Sequence, residues 1–397
     1  MIRREDLAAI ADSTGLTAPV VEKDYVLGWL LHGIYRHPAL RERWAFKGGT
    51  CLKKCYFETY RFSEDLDFTL LDPAHLDEAF LRAAFTEISQ SLYDEAGLEL
   101  PANRLRFDIY NNPRMRPSCQ GRIYYRSHFQ SGNNFPAVKL DLTADELVVD
   151  QTVRRTVSHP YPDEPSGGIE AFCYSYEEVF AEKIRALGER TRARDLYDVV
   201  NLHRNRDYDP EATHVRNILM RKCAFKQIAM ITLELVLAAK DTVVGTWDGM
   251  LRHQLPELPP FESFWAELRD VFEWLDRGIL RPILGPAPSQ GAGQLVRPRF
   301  GGLAGIADNA PLIERIRFAA QNRLLVELQY LRLDGNPRAP VIEPYSLRRS
   351  QAGDVSLAGF DIDDGHIKKY RVDRIRGVHV LDRTFVPRWL IELSPHS

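Results

Sequence analysis

The stretch Ser63-Glu64-Asp65-Leu66-Asp67 constrains this chain more than any other. From Asp65 to Leu71 acidic and apolar residues alternate, which is the period of a β-strand. On a strand, Asp65 and Asp67 project to the same side, separated by about 7 Å. Two carboxylates on one face repel each other, and a divalent cation relieves that cost. Mg²⁺ is usually held by one or two carboxylates together with substrate phosphates. Just upstream, Lys47-Gly48-Gly49-Thr50 forms a flexible turn where a helix begins. The backbone N–H groups of such a turn bind phosphate. A phosphate cradle beside a metal-binding Asp-x-Asp is the minimum equipment for nucleotidyl transfer.

The length of 397 residues suggests two or three domains. With 44% hydrophobic and 27% charged residues the composition is that of a globular protein. A net charge of −3 excludes a global basic field, so nucleic acid has to be met by a local patch. Residues 311–397 carry 14 Lys+Arg against 11 Asp+Glu, which permits a nucleic-acid-facing tail without demanding one. Cys51, Cys55, Cys119, Cys173 and Cys223 give no disulfide framework. Cys51 and Cys55 stand one helical turn apart, but no second pair follows to complete a zinc site, and they read as small core residues. No signal core and no apolar run of transmembrane length is present, so a cytoplasmic protein without membrane contact is expected.

Helices are expected from about Arg4 to Tyr35, with Val21, Tyr25, Trp29 and their neighbours at helical spacing. Trp44-Ala45-Phe46 leads into the glycine turn, Thr50 to Tyr56 starts a helix, and Asp77 to Ala96 is an amphipathic helix. Leu105 to Val149 is β-rich, with strands at 121–125 and 137–142. Helices resume at Glu177 and continue to about Leu280. The Gly/Pro/Ser-rich stretch 284–309 reads as a linker. Beyond it lie a helix at 312–322 and short strands, the pattern of a small β-barrel or curled sheet.

A third carboxylate completes a site able to stabilise both oxygens of an in-line phosphoryl displacement. The best candidate is Asp141 in Val138-Lys139-Leu140-Asp141-Leu142, where Lys139 and Asp141 share the polar side of a strand. Asp145 and Asp150 are nearby competitors. Downstream, Lys183, Leu187, Arg190, Arg194 and Asp198 share one face if their helix is unbroken, and its three cations would draw a triphosphate. Asp195 would pair with an arginine or orient the lysine. The alternative is an exposed face laced with i,i+4 pairs. His159 and His203 belong to no catalytic constellation and read as surface or capping residues.

Taken in order, Phe46-Lys47-Gly48-Gly49-Thr50, Arg61-Phe62-Ser63-Glu64-Asp65-Leu66-Asp67-Phe68, Glu182-Lys183 and Arg194-Asp195-Leu196-Tyr197-Asp198 resemble the AbiEii/AbiGii toxin family of nucleotidyltransferases. Glu22-Lys23-Asp24-Tyr25-Val26-Leu27 fits that family's N-terminal helix. The resemblance covers roughly residues 4–280 and implies an α+β, DNA polymerase β-like nucleotidyltransferase core with a helical second half. It implies that Asp65, Asp67 and Asp141 hold Mg²⁺ (or Mn²⁺). Lys47, Gly48, Gly49, Thr50, Ser63, Arg190 and Arg194 would contact the NTP, and Lys183 and Asp195 would belong to the catalytic set. It further implies an RNA acceptor such as the tRNA 3′ end, a toxin–antitoxin or phage-defence setting and a cognate antitoxin.

The C-terminal region resembles the WYL domain family through Val326-Glu327-Leu328-Gln329-Tyr330, Ile342-Glu343-Pro344-Tyr345-Ser346-Leu347 and Tyr370-Arg371-Val372-Asp373-Arg374-Ile375. Val355-Ser356-Leu357 stands where the naming Trp-Tyr-Leu is usual. The resemblance implies an SH3-like barrel that senses nucleic acid or nucleotides. Arginines among Tyr330, Tyr345 and Tyr370 suit phosphate and base stacking, with Tyr330, Arg348, Arg371 and Arg374 as candidate ligand residues. Expected domains are therefore 1–283, a linker at 284–309, and 310–397. Two rivals use the same residues: an NTP-dependent enzyme that modifies protein, and a ligand-sensing protein with a silent catalytic half.

Overall fold

A computed structural model describes residues 2–14, 16–57, 61–130, 135–205, 208–277, 310–332, 335–349, 355–389 and 391–393. The expected linker at 284–309 and the last residues of the helical block, 278–280, lie outside the described residues. The chain divides into two compact units. One comprises Met1–Pro256 with Val271–Asp276, the other Glu257–Asp270 with Arg277–Ser397.

The first unit opens with α1 (Arg4–Thr14) and α2 (Ala18–Arg36), the latter with a proline in its first turn, where a missing N–H costs nothing. Strand β1 (Trp44–Lys47) runs into the short helix α3 (Gly48–Cys51), which widens into a π-turn at Leu52–Tyr56. Strand β2 (Asp65–Leu70) follows. Helix α4 (Glu78–Ala96) is capped by the Asp77 carboxylate at its start and ended by left-handed Gly97. Next come β3 (Arg106–Asn111), β4 (Pro117–Tyr124), β5 (Ala137–Thr143), β6 (Val153–Val157) and β7 (Ile169–Cys173).

These seven strands form one mixed sheet in the order β3-β4-β5-β2-β1-β7-β6. Leu66, Phe68, Leu140 and Leu142 alternate with the acidic positions and are buried on one side of it. That side packs beneath α2 and α4, where Trp44, Phe46, Phe68 and Phe85 form a chain of ring contacts 5.3–6.0 Å apart. Burying this many aromatic rings fixes the register, because a one-residue slip would turn them all outward. The five cysteines are free and buried, and Cys51, Cys55 and Cys173 bring their sulfurs within 4.8 Å of one another.

The helical part comprises α5 (Tyr176–Arg190), α6 (Ala193–Arg204), α7 (Ala212–Lys226), α8 (Leu233–Leu237), α9 (Lys240–Leu251) and α10 (Phe261–Arg277). The condition for a single face through 183–198, an unbroken helix, is not met. Thr191 takes the left-handed conformation (φ 47°), donates its N–H to the Leu187 carbonyl and ends α5, and Arg192 is extended before α6.

The second unit contains α11 (Ala310–Gln321) and β8 (Leu324–Leu331), β9 (Pro337–Arg338), β10 (Val341–Arg349), β11 (Val355–Asp361), β12 (His366–Arg371) and β13 (Ile375–Thr384). The antiparallel sheet has the order β12-β11-β10-β8-β13, with β9 beside β8, and α11 packs across it. Leu325, Tyr345 and Phe385 form a core cluster. Among the described residues, no helix is long and apolar enough to cross a membrane.

Candidate active site

The polar side of the large sheet carries the candidate residues in register. Strand β2 pairs in parallel with β5, so Asp67 stands beside Asp141 and Asp65 beside Lys139. On the other flank β1 runs antiparallel to β2 and sets Lys47 opposite Asp67. A single row therefore crosses four strands as Lys47, Asp67, Asp141 and Gln120. Neighbouring strands are about 4.8 Å apart, so Asp67 and Asp141 are adjacent across the strands, and Asp65 lies two residues along β2 on the same side.

The register places Asp141 beside Asp67, whereas Asp145 and Asp150 are engaged elsewhere. Asp145 is buried and pairs with Arg114 and Lys226, and Asp150 accepts from Ser175 and pairs with His214.

The glycine turn is built against the same carboxylates. Gly48 has φ +79°, where side chains are strained, and a Cβ there would stand 2.0 Å from Asp67 Oδ2. A Cβ at Gly49 would meet Arg61 Nη2 at 2.5 Å and Ser63 Oγ at 3.0 Å. The Thr50 hydroxyl donates to the Asp65 carbonyl and locks the turn to β2. The Lys47 ammonium is held by Glu182 at 3.2 Å and lies 3.9 Å from Glu146.

Lys183 and Asp195 also come together, though not as one helical face. On a straight helix, fifteen residues span about 22 Å. Instead, the break at Thr191 folds α6 back on α5, and Lys183 Nζ reaches Asp198 at 2.7 Å and Asp195 at 3.5 Å. Arg190 donates to Asp195 Oδ1 at 3.1 Å, while the other Asp195 oxygen is buried without a hydrogen-bond partner. Arg194 is half-buried.

Sequence reasoning assigned no role to Arg61, Asp198, Glu146, Lys222 or Lys226. Arg61 and Asp198 form a buried two-pronged pair, Nε–Oδ1 and Nη2–Oδ2 both 2.7 Å, and Arg61 Nη1 donates to Gln254. Lys222 and Lys226 reach in from α7 to Glu178, Glu182 and Glu146. The signal for Asp198 was present: it stands among Leu196, Tyr197, Val199 and Val200, and a charge buried among such residues has to be paired.

Electrostatics divide these groups. Asp67 is pushed up to about 6 by desolvation and by the neighbouring Asp141, against the pull of Lys47 and Lys183. Asp141 is raised as well, by desolvation first and then by Asp65. For Asp198, burial is outweighed by Arg61 and Lys183, and its carboxyl lies well below the usual range. Among the described residues, none of Asp65, Asp67 and Asp141 forms an ion pair. Three oxygen-donor carboxylates short of positive charge fit a hard divalent cation.

In the second unit, Arg348 and Arg371 flank Ser356 in one row across β10, β11 and β12. Both are exposed, Arg348 pairing with Glu392 and Arg371 with Asp373 at 2.9 Å. Tyr330 is half-buried and accepts from the Arg371 N–H, and Arg374 lies in the turn after β12. Tyr345 and Tyr370, read above as stacking candidates, are core residues, 4% and 3% exposed. Their rings are covered because they alternate inward on β10 and β12.

A glycine turn folded against the Asp65, Asp67 and Asp141 carboxylates, with buried lysines beside it, is an arrangement suited to nucleotidyl transfer. The family model described as "Nucleotidyl transferase AbiEii toxin, Type IV TA system" matches residues 29–274, and the chain belongs to that family. It is an NTP-using nucleotidyltransferase of the toxin class. Residues 311–380 match the WYL domain. Among solved structures, the chain is similar to MenT4, a nucleotidyltransferase toxin from Mycobacterium tuberculosis H37Rv. The identity is 20%, the TM-score 0.50, and the match covers 69% of this chain and 90% of that one, which is a likeness of fold. Proteasome accessory factor B/C of Arthrobacter aurescens matches at 11% identity over 95% of this chain and 73% of that one, with a TM-score of 0.21 too low to carry an argument. No protein of curated function matches the chain.

Proposed function

We propose that the protein transfers NMP from an NTP to a hydroxyl of RNA, such as the tRNA 3′ end, in a reaction that depends on Mg²⁺ or Mn²⁺. The observation that carries this reading is the row of Asp67 and Asp141 on adjoining strands, with Asp65 two residues along on the same side and, among the described residues, no cation paired to any of them.

The Gly48 and Gly49 N–H groups and the Ser63 hydroxyl receive the triphosphate. Lys183, fixed by Asp195 and Asp198, and Lys47, fixed by Glu182, offset charge beside Asp67. Arg190 and Arg194 stand at the α5–α6 turn to meet the outer phosphates. The acceptor hydroxyl oxygen bonds to the α-phosphorus, the bond to pyrophosphate breaks, and Asp141 accepts the hydroxyl proton. The raised affinity of Asp141 for protons suits that role. Asp65, Asp67 and Asp141 would hold the divalent cation, which would supply stabilisation of the negative charge that develops in the transfer. The remaining rate comes from positioning and preorganised charge.

For the C-terminal domain, the row Arg348–Ser356–Arg371, with Tyr330 and Arg374, is a candidate contact for a nucleotide or nucleic-acid phosphate. A cognate antitoxin is the further partner that the family implies.

Incubation of the purified protein with each labelled NTP, total RNA and cell lysate, with and without Mg²⁺, tests the reaction. Label in RNA that is lost in Asp67→Asn supports the reading. Label in protein instead transfers the assignment to protein nucleotidylation. Nucleotide binding without turnover under every metal condition sinks both.

A further inference from the structure

We propose that the open side of β5, β4 and β3 is the track that holds the acceptor strand, with Arg122 and Arg106 as its phosphate contacts. This rests on the nucleic-acid reading above and specifies where that acceptor lies.

The register places a second row one step along the strands from the carboxylates. It starts at Asp65 and continues through Lys139 on β5, Arg122 on β4 and Arg106 on β3. Three successive strands thus present three cations, over about 14 Å from Asp65 to the sheet edge. Lys139 and Arg106 are exposed and Arg122 is half-buried. Among the described residues none of the three forms an ion pair. That sets them apart from nearby arginines: Arg82 pairs with Glu78, Arg114 with Asp145 and Arg126 with Glu99. Arg122 has one neutral neighbour, Gln120 Oε1 at 3.5 Å.

Tyr124 lies two residues beyond Arg122 on the same side of β4. Tyr110, 49% exposed, lies on the same side of β3, across the row of Asp108. Aromatic rings flanking a line of unpaired cations suit an unpaired nucleic-acid strand, whose phosphates take the charge and whose bases stack. Asp108, in the carboxylate row, is the one acidic side chain on the outer two strands of this side.

The direction of the track carries the argument further. The phosphate turn and Lys47 lie on the β1 side of Asp67, whereas the cation row leads away through β5 to β3. In-line displacement requires the acceptor to enter opposite the leaving pyrophosphate. The two sides of the carboxylates therefore divide between the two substrates.

The test compares wild type with Arg106→Ala/Arg122→Ala and the charge-reversed Arg106→Glu, each first checked by thermal melting. The KM for RNA acceptor and for NTP is measured across a salt series. The double variant raises the acceptor KM about tenfold or more and leaves the NTP KM within twofold. Its log–log salt slope for RNA binding falls by about 1.4, the value for two phosphate contacts on a single strand. An acceptor KM and slope equal to wild type overturn the track while leaving RNA transfer standing, and a rise confined to the NTP KM assigns the row to the triphosphate. If the wild-type protein labels protein and not RNA, the nucleic-acid reading fails and the track falls with it.

Discussion

Asp67 and Asp198 belong to the same unit, and each feels the charge of Lys183, yet their proton affinities are shifted in opposite directions. Asp198 is enclosed by Arg61 and Lys183 at 2.7 Å and stays ionised well below the usual carboxylate range. Asp67 faces Asp141 and is pushed up to about 6. A carboxylate whose charge the protein neutralises serves the fold. One whose charge the protein leaves standing is prepared for something that arrives from solution.

The sharpest way to break this contrast is Asp67→Asn. Transfer falls by about 10³-fold or more, in line with losing one member of a catalytic unit. In metal-free buffer the variant melts higher, by about 2–4 °C for each kcal/mol of repulsion removed. Lost stability in a metal-free melt would make Asp67 architectural and erase its difference from Asp198.

Asp198→Ala tests the other side. Removing it takes from the Arg61 guanidinium and the Lys183 ammonium the carboxylate they share, a change that costs about 3–5 kcal/mol when one partner of a buried pair is lost. Urea unfolding measures it, and a loss under 1 kcal/mol would remove the pair from the scaffold. The pH signs follow. Asp198, depressed in the fold, contributes stability above its unfolded value that is lost as pH falls through the folded one. Asp67, raised in the fold, contributes stability below its unfolded value that is lost as pH rises through about 6.

That inversion sets the metal dependence. A proton on Asp67 competes with the cation, so Mg²⁺ affinity falls as pH drops below about 6, by up to tenfold per pH unit for each proton displaced. The Mg²⁺-induced rise in melting temperature shrinks between pH 8 and pH 5 in wild type. The shrinkage is absent from Asp67→Asn, and an equal shrinkage in both would place the titrating group elsewhere.

The same contrast explains what was legible in the sequence. Asp65 and Asp67 were legible because their alternation with Leu66 and Phe68 is local, and the Gly48-Gly49 turn because its backbone demand is local. Asp141 was legible as an acidic position on an apolar strand, but only the parallel pairing of β2 with β5 distinguishes it from Asp145. Arg61 with Asp198, and Lys222 with Glu178, are joined across 137 and 44 positions by tertiary packing, and no local period marks them. The break at Thr191 was missed because a threonine in the left-handed region carries no signal that glycine would. A face drawn through 183–198 therefore named residues that do meet, through a geometry it did not contain.

The C-terminal domain repeats the comparison at smaller scale. Asp361 is fully buried, accepts from the Tyr370 hydroxyl at 2.8 Å and lies 3.2 Å from both Arg338 and Lys368. Hydrogen bonds from Tyr370 and Lys368 and the charge of Arg338 outweigh its burial and keep it ionised below the usual range. Arg371, by contrast, pairs with Asp373 on the surface, and exposed pairs are worth about 0–1 kcal/mol. Arg371→Ala accordingly leaves the urea midpoint nearly unchanged. If the Arg348–Arg371 row meets phosphate, the same variant weakens binding of a labelled single-stranded oligonucleotide and lowers the salt slope by about 0.7, one phosphate contact. Unchanged stability with unchanged oligonucleotide affinity would leave Arg371 a solvated surface residue, and a loss of stability near that expected for Asp198 would move it to the scaffold.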